Sequence, residues 1–353
     1  MKWLALIGIC LIAFTAFLDF ANVSTALPFI QKAFQINISQ LQWLANIFAI
    51  VLSMTMIAAG KFGDRWGRKK VFYIGSTIFA VTCLAAGFCK TIEWLIFFRA
   101  LQGLGVSVIF VVAISLISEV FHGPDKVRAI GIFGAITGAG LTIGPFLGGM
   151  IIGLLDWRWI FWINIPFLVT GLAICLLTIK DLHEHLERPK IDWKGLIFLI
   201  VGLGSFTYGI VEMSPWIALI GAISLALLIY FDIKAPAPLL ALSIFKKKLL
   251  LLAVLSVVMA GIISYVFMFI NPLFLRNELN LSPYAIGLMI AIIPVGQVLI
   301  SSFFSTLHRK QGLANLFLIS CSAAVLAATL HLFFTPHIPL YCLVIPFALL
   351  GIN

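Results

Sequence analysis

Charge is what this sequence has least of: Asp, Glu, Lys and Arg make up 10% of its 353 residues, and the acids number only 13. A chain this poor in charge and 62% hydrophobic excludes a soluble domain with a single packed core, because it lacks the polar surface to cover one. Metal-type spacing is missing as well. Cys10, Cys83, Cys89, Cys175, Cys321 and Cys342 fall within or at the edges of apolar stretches with no CxxC pair, and are expected to be small core residues. His183 and His185 form a weak pair with no third ligand in sequence. There are no clustered acids, and no nucleophile stands near a base, as an enzyme would require. The net charge of +10 does not point to nucleic acid, because Lys and Arg lie in short connections without a polybasic tail or aromatic-basic module.

What is present is a recurrence of apolar stretches about 18 to 25 residues long, each enough to cross roughly 30 Å of hydrocarbon as a helix. Barrel strands would be half that length. The N-terminal run continues past Asp19 to about Ile30, too long for the core of a secretory signal, so it reads as a first spanning helix. The pattern predicts helices over 3–30, 41–59, 71–90, 94–117, 129–154, 159–179, 195–212, 215–232, 249–275, 284–306 and 313–335, with another beginning near Leu340. A cytoplasmic N-terminus sorts the 23 Lys and Arg sharply. Only Lys32, Lys90, Arg158 and Arg276 then fall outside, and Arg99 alone lies within a span. The expectation is a multi-pass protein of the cytoplasmic (inner) membrane, surrounded by the lipid bilayer.

Gly60 to Lys70, GKFGDRWGRKK, is a charge-dense knot between two apolar spans. Gly60 and Gly63 are expected to supply the tight turn, and Asp64 to sit where the next helix begins and accept its orphan N–H groups. Arg65, Arg68, Lys69 and Lys70 would hold the loop inside. As charges alone these suit any polytopic protein. As an ordered pattern, Gly60, Asp64, Arg65, Gly67, Arg68 and Lys69 resemble the signature of the loop between helices 2 and 3 of the major facilitator superfamily. The resemblance implies a part in switching between inward-open and outward-open states.

Asp19 is the one carboxylate deep inside a predicted helix, and a buried acid in lipid costs several kcal/mol unless it is neutralised, paired or hydrated. That cost makes it a functional candidate; the alternative is a helix-end Asp held by a neighbouring hydroxyl. LDFANVSTALP, Leu18 to Pro28, resembles the first-helix motif of the drug:proton antiporter branch at Leu18, Asp19, Ala26, Leu27 and Pro28, with Ala21 and Ser24 replacing the usual Thr and Asn. Arg99 is the natural counterpart. Its guanidinium stays charged, so it tunes a titrating group and does not titrate itself; a structural Arg bonded to backbone carbonyls is the other reading. Arg99, Gln102, Gly103 and Gly105 resemble the fourth-helix motif of proton-coupled facilitators. Helical rise puts Asp19 and Arg99 at similar depths, so they are expected to meet directly or through water as the proton-coupling site.

The following helix carries Gly131, Gly134, Gly138, Gly140, Gly144, Gly148 and Gly149 with Pro145. Glycines at this spacing let backbones approach, and the proline bends the helix. Gly140, Gly144, Pro145, Gly148 and Gly149 also resemble the antiporter motif, which implies export. DWRWIFWINIP, Asp156 to Pro166, resembles a stretch of the fourteen-helix branch; Trp157, Trp159 and Trp162 otherwise read as an interfacial belt. Ser282, Pro283, Gly287 and Pro294 resemble the corresponding segment of the second half, whereas LHRKQG, Leu307 to Gly312, keeps only basic charge and a glycine. Asn22, Gln102, Thr137 and Asn164, with Tyr265, Asn271 and Gln297, are candidates to line a substrate cavity, each equally able to bond a neighbouring helix.

Together the resemblances imply an all-α polytopic membrane protein with the major facilitator fold. An N-terminal six-helix bundle (1–180) leads through a cytoplasmic linker (181–194) to two extra central helices (195–232), a cytoplasmic connection (233–248) and an incomplete C-terminal bundle (249–353). The last span breaks off after roughly 14 of the ~20 residues a crossing needs, so the expectation is a C-terminally truncated chain. The implied function is a proton-coupled secondary transporter exporting amphipathic or cationic small molecules, drugs among them. It would use no cofactor, metal or nucleic acid, and act as a monomer open to periplasmic adaptor and outer-membrane partners. Two alternatives stay open: a truncated remnant that folds without transporting, and a membrane-embedded enzyme.

Overall fold

The computed structural model describes residues 1–179, 192–234, 248–334 and 339–352, and among them every regular element is a helix. Most of the expected linker (181–194) and of the second connection (233–248) lies outside the described residues, as do His183 and His185. The helices are α1 (Lys2–Phe34), α2 (Ile38–Trp66), α3 (Arg68–Gly87), α4 (Ile92–Val120), α5 (Gly123–Leu154), the short α6 (Trp159–Trp162), α7 (Asn164–Thr178), α8 (Trp193–Val211), α9 (Pro215–Lys234), α10 (Lys248–Asn277), α11 (Pro283–His331) and α12 (Leu340–Ile352). Nine spans among the described residues are long and apolar enough to cross a membrane. Large apolar side chains such as Leu177, Trp216 and Ile233 face outward, while Asp19, Asn22, Arg99 and Gln102 are buried. That inversion of the water-soluble pattern is what a hydrocarbon solvent selects, and the chain is a multi-pass membrane protein.

Local chemistry sets the helix starts. Asn37 Oδ1 accepts from the Gln40 N–H at 2.8 Å while Gln40 Oε1 accepts from the Asn37 N–H, a capping box that opens α2. Asp192 caps α8 through the Gly195 N–H, and Ser282 caps α11 with Pro283 in its first turn.

The chain divides into two compact units, and α1 and α5 each contribute to both. One unit holds the start of α1, α2 to α4, the start of α5, and the stretch from Phe161 to α9. Within it α3 and α4 pack backbone to backbone: a Cβ on Gly105 would lie 2.8 Å from the Gly75 carbonyl oxygen. The α8–α9 hairpin is similarly tight, with Gly202 against Leu225 and Gly221 against Phe206. It docks on α2 through Ala58, Leu196, Leu199 and Leu228. Glu212, just beyond α8, accepts from Trp43 Nε1 at 2.6 Å and Ser39 Oγ at 3.1 Å.

The other unit combines the end of α1, the end of α5 and α10 to α12. Its core is Leu275, Ile286, Ile290, Ile293, Ala327, Leu343, Phe347 and Leu350. The sequence predicts two helices where α11 is one helical path of 49 residues. Yet His331, at its end, contacts Asn271, while Arg276 donates to the Leu281 carbonyl just before its start. A straight helix would hold those ends roughly 70 Å apart. The two ends therefore lie close together; of its apolar parts Pro283–Ile300 is long and apolar enough to cross a membrane, and Leu318–His331 is a shorter apolar helix.

Candidate functional site

The charged segment between α2 and α3 is organised differently from its sequence expectation. Gly60 and Gly63 lie inside α2, where a Cβ would meet Val111 at 3.4 Å and Val112 at 3.3 Å, so their role is close passage along α4. The turn is Gly67 alone. Its φ of 96° and ψ of 125° lie where side chains are disfavoured, and its N–H donates to the Gly63 carbonyl. Asp64 is correspondingly not a helix cap. It sits in the last turn of α2 and accepts from Arg68 Nη2 at 2.9 Å and Nε at 3.2 Å. Arg68 Nη1 also donates to Glu119 near the end of α4. One guanidinium thus ties together α2, α3 and α4. Arg65 is exposed and Lys69 half-buried.

Arg99 is 1% exposed on α4. Its Nη1 donates to Gln102 Oε1 at 2.9 Å, and its guanidinium lies 4.4 Å from the centre of the Phe48 ring, a cation–π contact worth about 0.5–2 kcal/mol. Gln102 Nε2 in turn donates to Cys83 Sγ at 3.3 Å, and Asn164 Nδ2 approaches the same sulfur at 3.8 Å. The expected site residues Arg99, Gln102 and Asn164 are therefore joined into one buried polar chain through Cys83.

In the other unit, Asp19, Asn22 and Thr25 recur every third residue on α1 and are all fully buried. The glycine-rich half of α5 packs on this part of α1 at Ala21, Asn22 and Thr25. A Cβ on Gly144 would lie 2.5 Å from the Ala21 Cβ, one on Gly148 would lie 3.2 Å from Asn22 Oδ1, and Thr25 Oγ1 is 3.5 Å from the Pro145 carbonyl oxygen. Both amide atoms of Asn22 are buried with no hydrogen-bond partner, an arrangement that costs about 1–3 kcal/mol per group. Gly149 packs not on α1 but on Gly287 of α11. Gly140 and Thr137 are buried, whereas a Cβ on Gly131, Gly134 or Gly138 would meet nothing within 4 Å. Asp19 falls in one unit and Arg99 in the other.

Glu119, Asp232 and His331 were not singled out in the sequence. Glu119 did leave a signal: a carboxylate in the last turn of a helix opposes the dipole there and calls for a cation. Asp232 is 2% exposed near the end of α9. Of the three expected belt tryptophans, Trp159 is exposed, Trp157 is buried, and Trp162 donates to the Leu84 carbonyl. Among the described residues no group of three or more His, Cys, Asp or Glu is placed to hold a metal ion.

Residues 9–353 match the family model described as the Major Facilitator Superfamily. The whole chain is 29% identical to the riboflavin transporter RibZ of Clostridioides difficile (strain 630), covering 78% of that protein. It is 28% identical to the multidrug resistance protein Stp of Mycobacterium tuberculosis (strain CDC 1551 / Oshkosh), over 95% of this chain and 64% of Stp. The drug efflux pump JefA of the same strain is 30% identical over 88% of this chain and 63% of JefA. The chain thus spans a little under two thirds of Stp and JefA. Among solved structures, a peptide transporter, POT, in complex with alafosfalin gives a TM-score of 0.69 at 16% identity, over 98% of this chain and 78% of that one. The nucleoside transporter NupG gives 0.69 at 14% identity, over 99% and 79%. At these identities the likeness concerns the fold, which is the major facilitator fold.

Proposed function

Since this chain belongs to the Major Facilitator Superfamily, a family of transporters and not of enzymes, we propose that it is a secondary transporter that exports amphipathic or cationic small molecules across the cytoplasmic membrane in exchange for protons. Its N-terminus is cytoplasmic and it acts as a monomer, handing substrate to adaptor and outer-membrane partners where the cell envelope has them. The observation that carries this is Asp19, a fully buried acid on an apolar helix. A carboxylate kept there at a cost of several kcal/mol has a use for its charge, and reversible protonation is such a use. Protonation from outside would neutralise Asp19 and weaken the site for a cation, releasing substrate outward. Deprotonation toward the cytoplasm would restore the charge and the affinity. Arg99 is the fixed cation that sets the acid's proton affinity. Asn22, Gln102, Thr137 and Asn164 line the substrate path.

Conformational switching is assigned to the Gly67 turn and its ion group, because Arg68 joins three helices there through contacts that a small displacement breaks. The α5 glycines Gly140, Gly144, Gly148 and Gly149, with Pro145, keep the two states from leaking into each other.

A second reading has its own support. The match of the whole of this chain to 78% of a riboflavin transporter, together with the unpaired carboxamide of Asn22, fits a neutral heterocycle with a donor–acceptor edge. Proteoliposomes with an imposed pH gradient separate the two: the first expects gradient-driven accumulation of ethidium and its loss in Asp19→Asn, the second expects accumulation of riboflavin. Uphill transport by Asp19→Asn at the wild-type rate would place the proton site elsewhere.

A further inference from the structure

We propose that His331, clasped by Asn271, is a proton-binding site of its own, distinct from the Asp19 carboxylate. His331 is half-buried at the end of α11, with ring centres of Phe267 at 4.2 Å and Phe334 at 4.3 Å, and a nearly parallel Phe347 ring at 6.0 Å. Its Nδ1 is 2.7 Å from the Ala327 carbonyl oxygen, and its Nε2 is 3.2 Å from Asn271 Oδ1. A carbonyl oxygen only accepts, so Nδ1 carries hydrogen and donates to Ala327. Nε2 faces the Asn271 carboxamide, whose oxygen accepts from an imidazolium and whose nitrogen donates to a neutral ring. The π-faces around it favour that cation.

Asn271 supplies the other half of the switch. It is 1% exposed and its Nδ2 has no hydrogen-bond partner. Turning its amide over exchanges oxygen and nitrogen, a change that leaves the shape of the side chain intact. Nδ2 then donates to a neutral Nε2, and the orphan donor is satisfied. The charged state thus gains a second N–H donation and the aromatic cage; the neutral state gains the Asn271 donor. One proton taken from water separates them, adding one positive charge to the α10–α11 contact.

Among the described residues no carboxylate contacts the ring. The groups packed against the ring are Phe267 and Asn271 from α10, Phe347 from α12, and Phe334. The nearest charges along α10 are Arg276, which donates to Leu281 and lies over Phe29, and Glu278 beyond the helix end. The α12 sequence contains no Asp, Glu, Lys, Arg or His.

The test is NMR of the protein in lipid nanodiscs with ¹⁵N-labelled histidine, using His331→Gln to assign the ring. As pH falls from roughly 8 to 5, the Nε2 signal of His331 should pass from imine-like to N–H-like while Nδ1 stays protonated. Asn271→Asp, which places a carboxylate on the cation, should raise the midpoint by about one unit or more. Phe267→Leu, which removes an aromatic face, should lower it and serves if Asn271→Asp does not fold. A ring that holds one neutral tautomer throughout that range, or a midpoint that the folded variants leave unmoved, overturns the proposal. The readout does not depend on transport, so failure of Asp19-coupled export would leave it standing.

Discussion

Gly149 and Gly287 lie backbone against backbone: a Cβ on Gly149 would come within 2.9 Å of the Gly287 Cα, and one on Gly287 within 3.0 Å of the Gly149 Cα. The relation is reciprocal. The added Cβ of Gly149 would strike the Pro283 carbonyl oxygen, and that of Gly287 the Pro145 carbonyl oxygen. Both segments read Pro-x-x-x-Gly, and the residues following the prolines, Phe146 and Tyr284, pack edge to face at 5.7 Å. In each segment the glycine opens the space beside the other segment's proline carbonyl, so the two backbones close on one another.

Substitution at either glycine should therefore be costly. Gly149→Ala and Gly287→Ala are each expected to lower stability by about 1–3 kcal/mol, read as a drop in thermal unfolding temperature in detergent, and Gly149→Leu to abolish export. Because both act on one contact, the double alanine variant should lose less than the sum of the singles. Additive losses would mean the two glycines are energetically independent.

At the α2–α3 turn, strain and charge should separate. Gly67→Val forces a β-branched residue into a backbone region it avoids, for about 1–3 kcal/mol, with lower yield and lower transport. Asp64→Asn and Glu119→Gln remove only partly exposed ion pairs, worth less than about 1 kcal/mol, so expression and unfolding temperature should barely change while efflux falls. Unaltered efflux in both charge variants would remove the switching role from this segment.

The α8–α9 hairpin offers a comparison of magnitudes. Glu212 is exposed, so Glu212→Ala should cost only about 0.5–1.5 kcal/mol despite two hydrogen bonds, with a shift in Trp43 fluorescence. Gly209→Leu drives a side chain into the Ala218 backbone and should cost several times more. If the Glu212 change proves the larger, docking on α2 rests on the polar latch and not on the glycine-packed pair.

The coupling of Asp19 and Arg99 is a functional prediction. Asp19→Asn should lose gradient-driven accumulation while substrate still equilibrates. On the proposed coupling, Arg99→Ala should shift the pH optimum of transport upward, since an acid that loses a cation favouring its ionised form holds its proton to higher pH. The optimum is measured by initial rates in proteoliposomes across pH; an unshifted profile in Arg99→Ala would detach it from the proton site.

Hydrophobic length made most of the fold legible, because only helices of that length satisfy their backbone in lipid. The connections were harder. Gly60 and Gly63 read as a turn because they flank charges, yet both sit in helix that passes close along α4. Asp64 looked like a cap for the same reason, and the single residue that turns the chain, Gly67, was visible only as one glycine among several. Asp19 and Arg99 stood out because charge in an apolar run is conspicuous. Glu119 did not, since its meaning depends on Arg68, 51 residues away in sequence. His331 was invisible for a similar reason: a lone histidine at a helix end gains significance only from Asn271 and the three phenylalanines gathered around it.

The tight α8–α9 pair also bears on biosynthesis. Its partners are near in sequence, with Gly209 against Ala218 and Ser224 Oγ donating to the Phe198 carbonyl, whereas its docking partners Trp43 and Ala58 were made long before. The hairpin is therefore expected to assemble at the ribosome exit as soon as α9 enters the bilayer, and to find α2 afterwards as a finished object. Site-specific crosslinking of arrested nascent chains would show α8–α9 contacts preceding any contact with α2, and the reverse order would make α2 the template on which the hairpin forms.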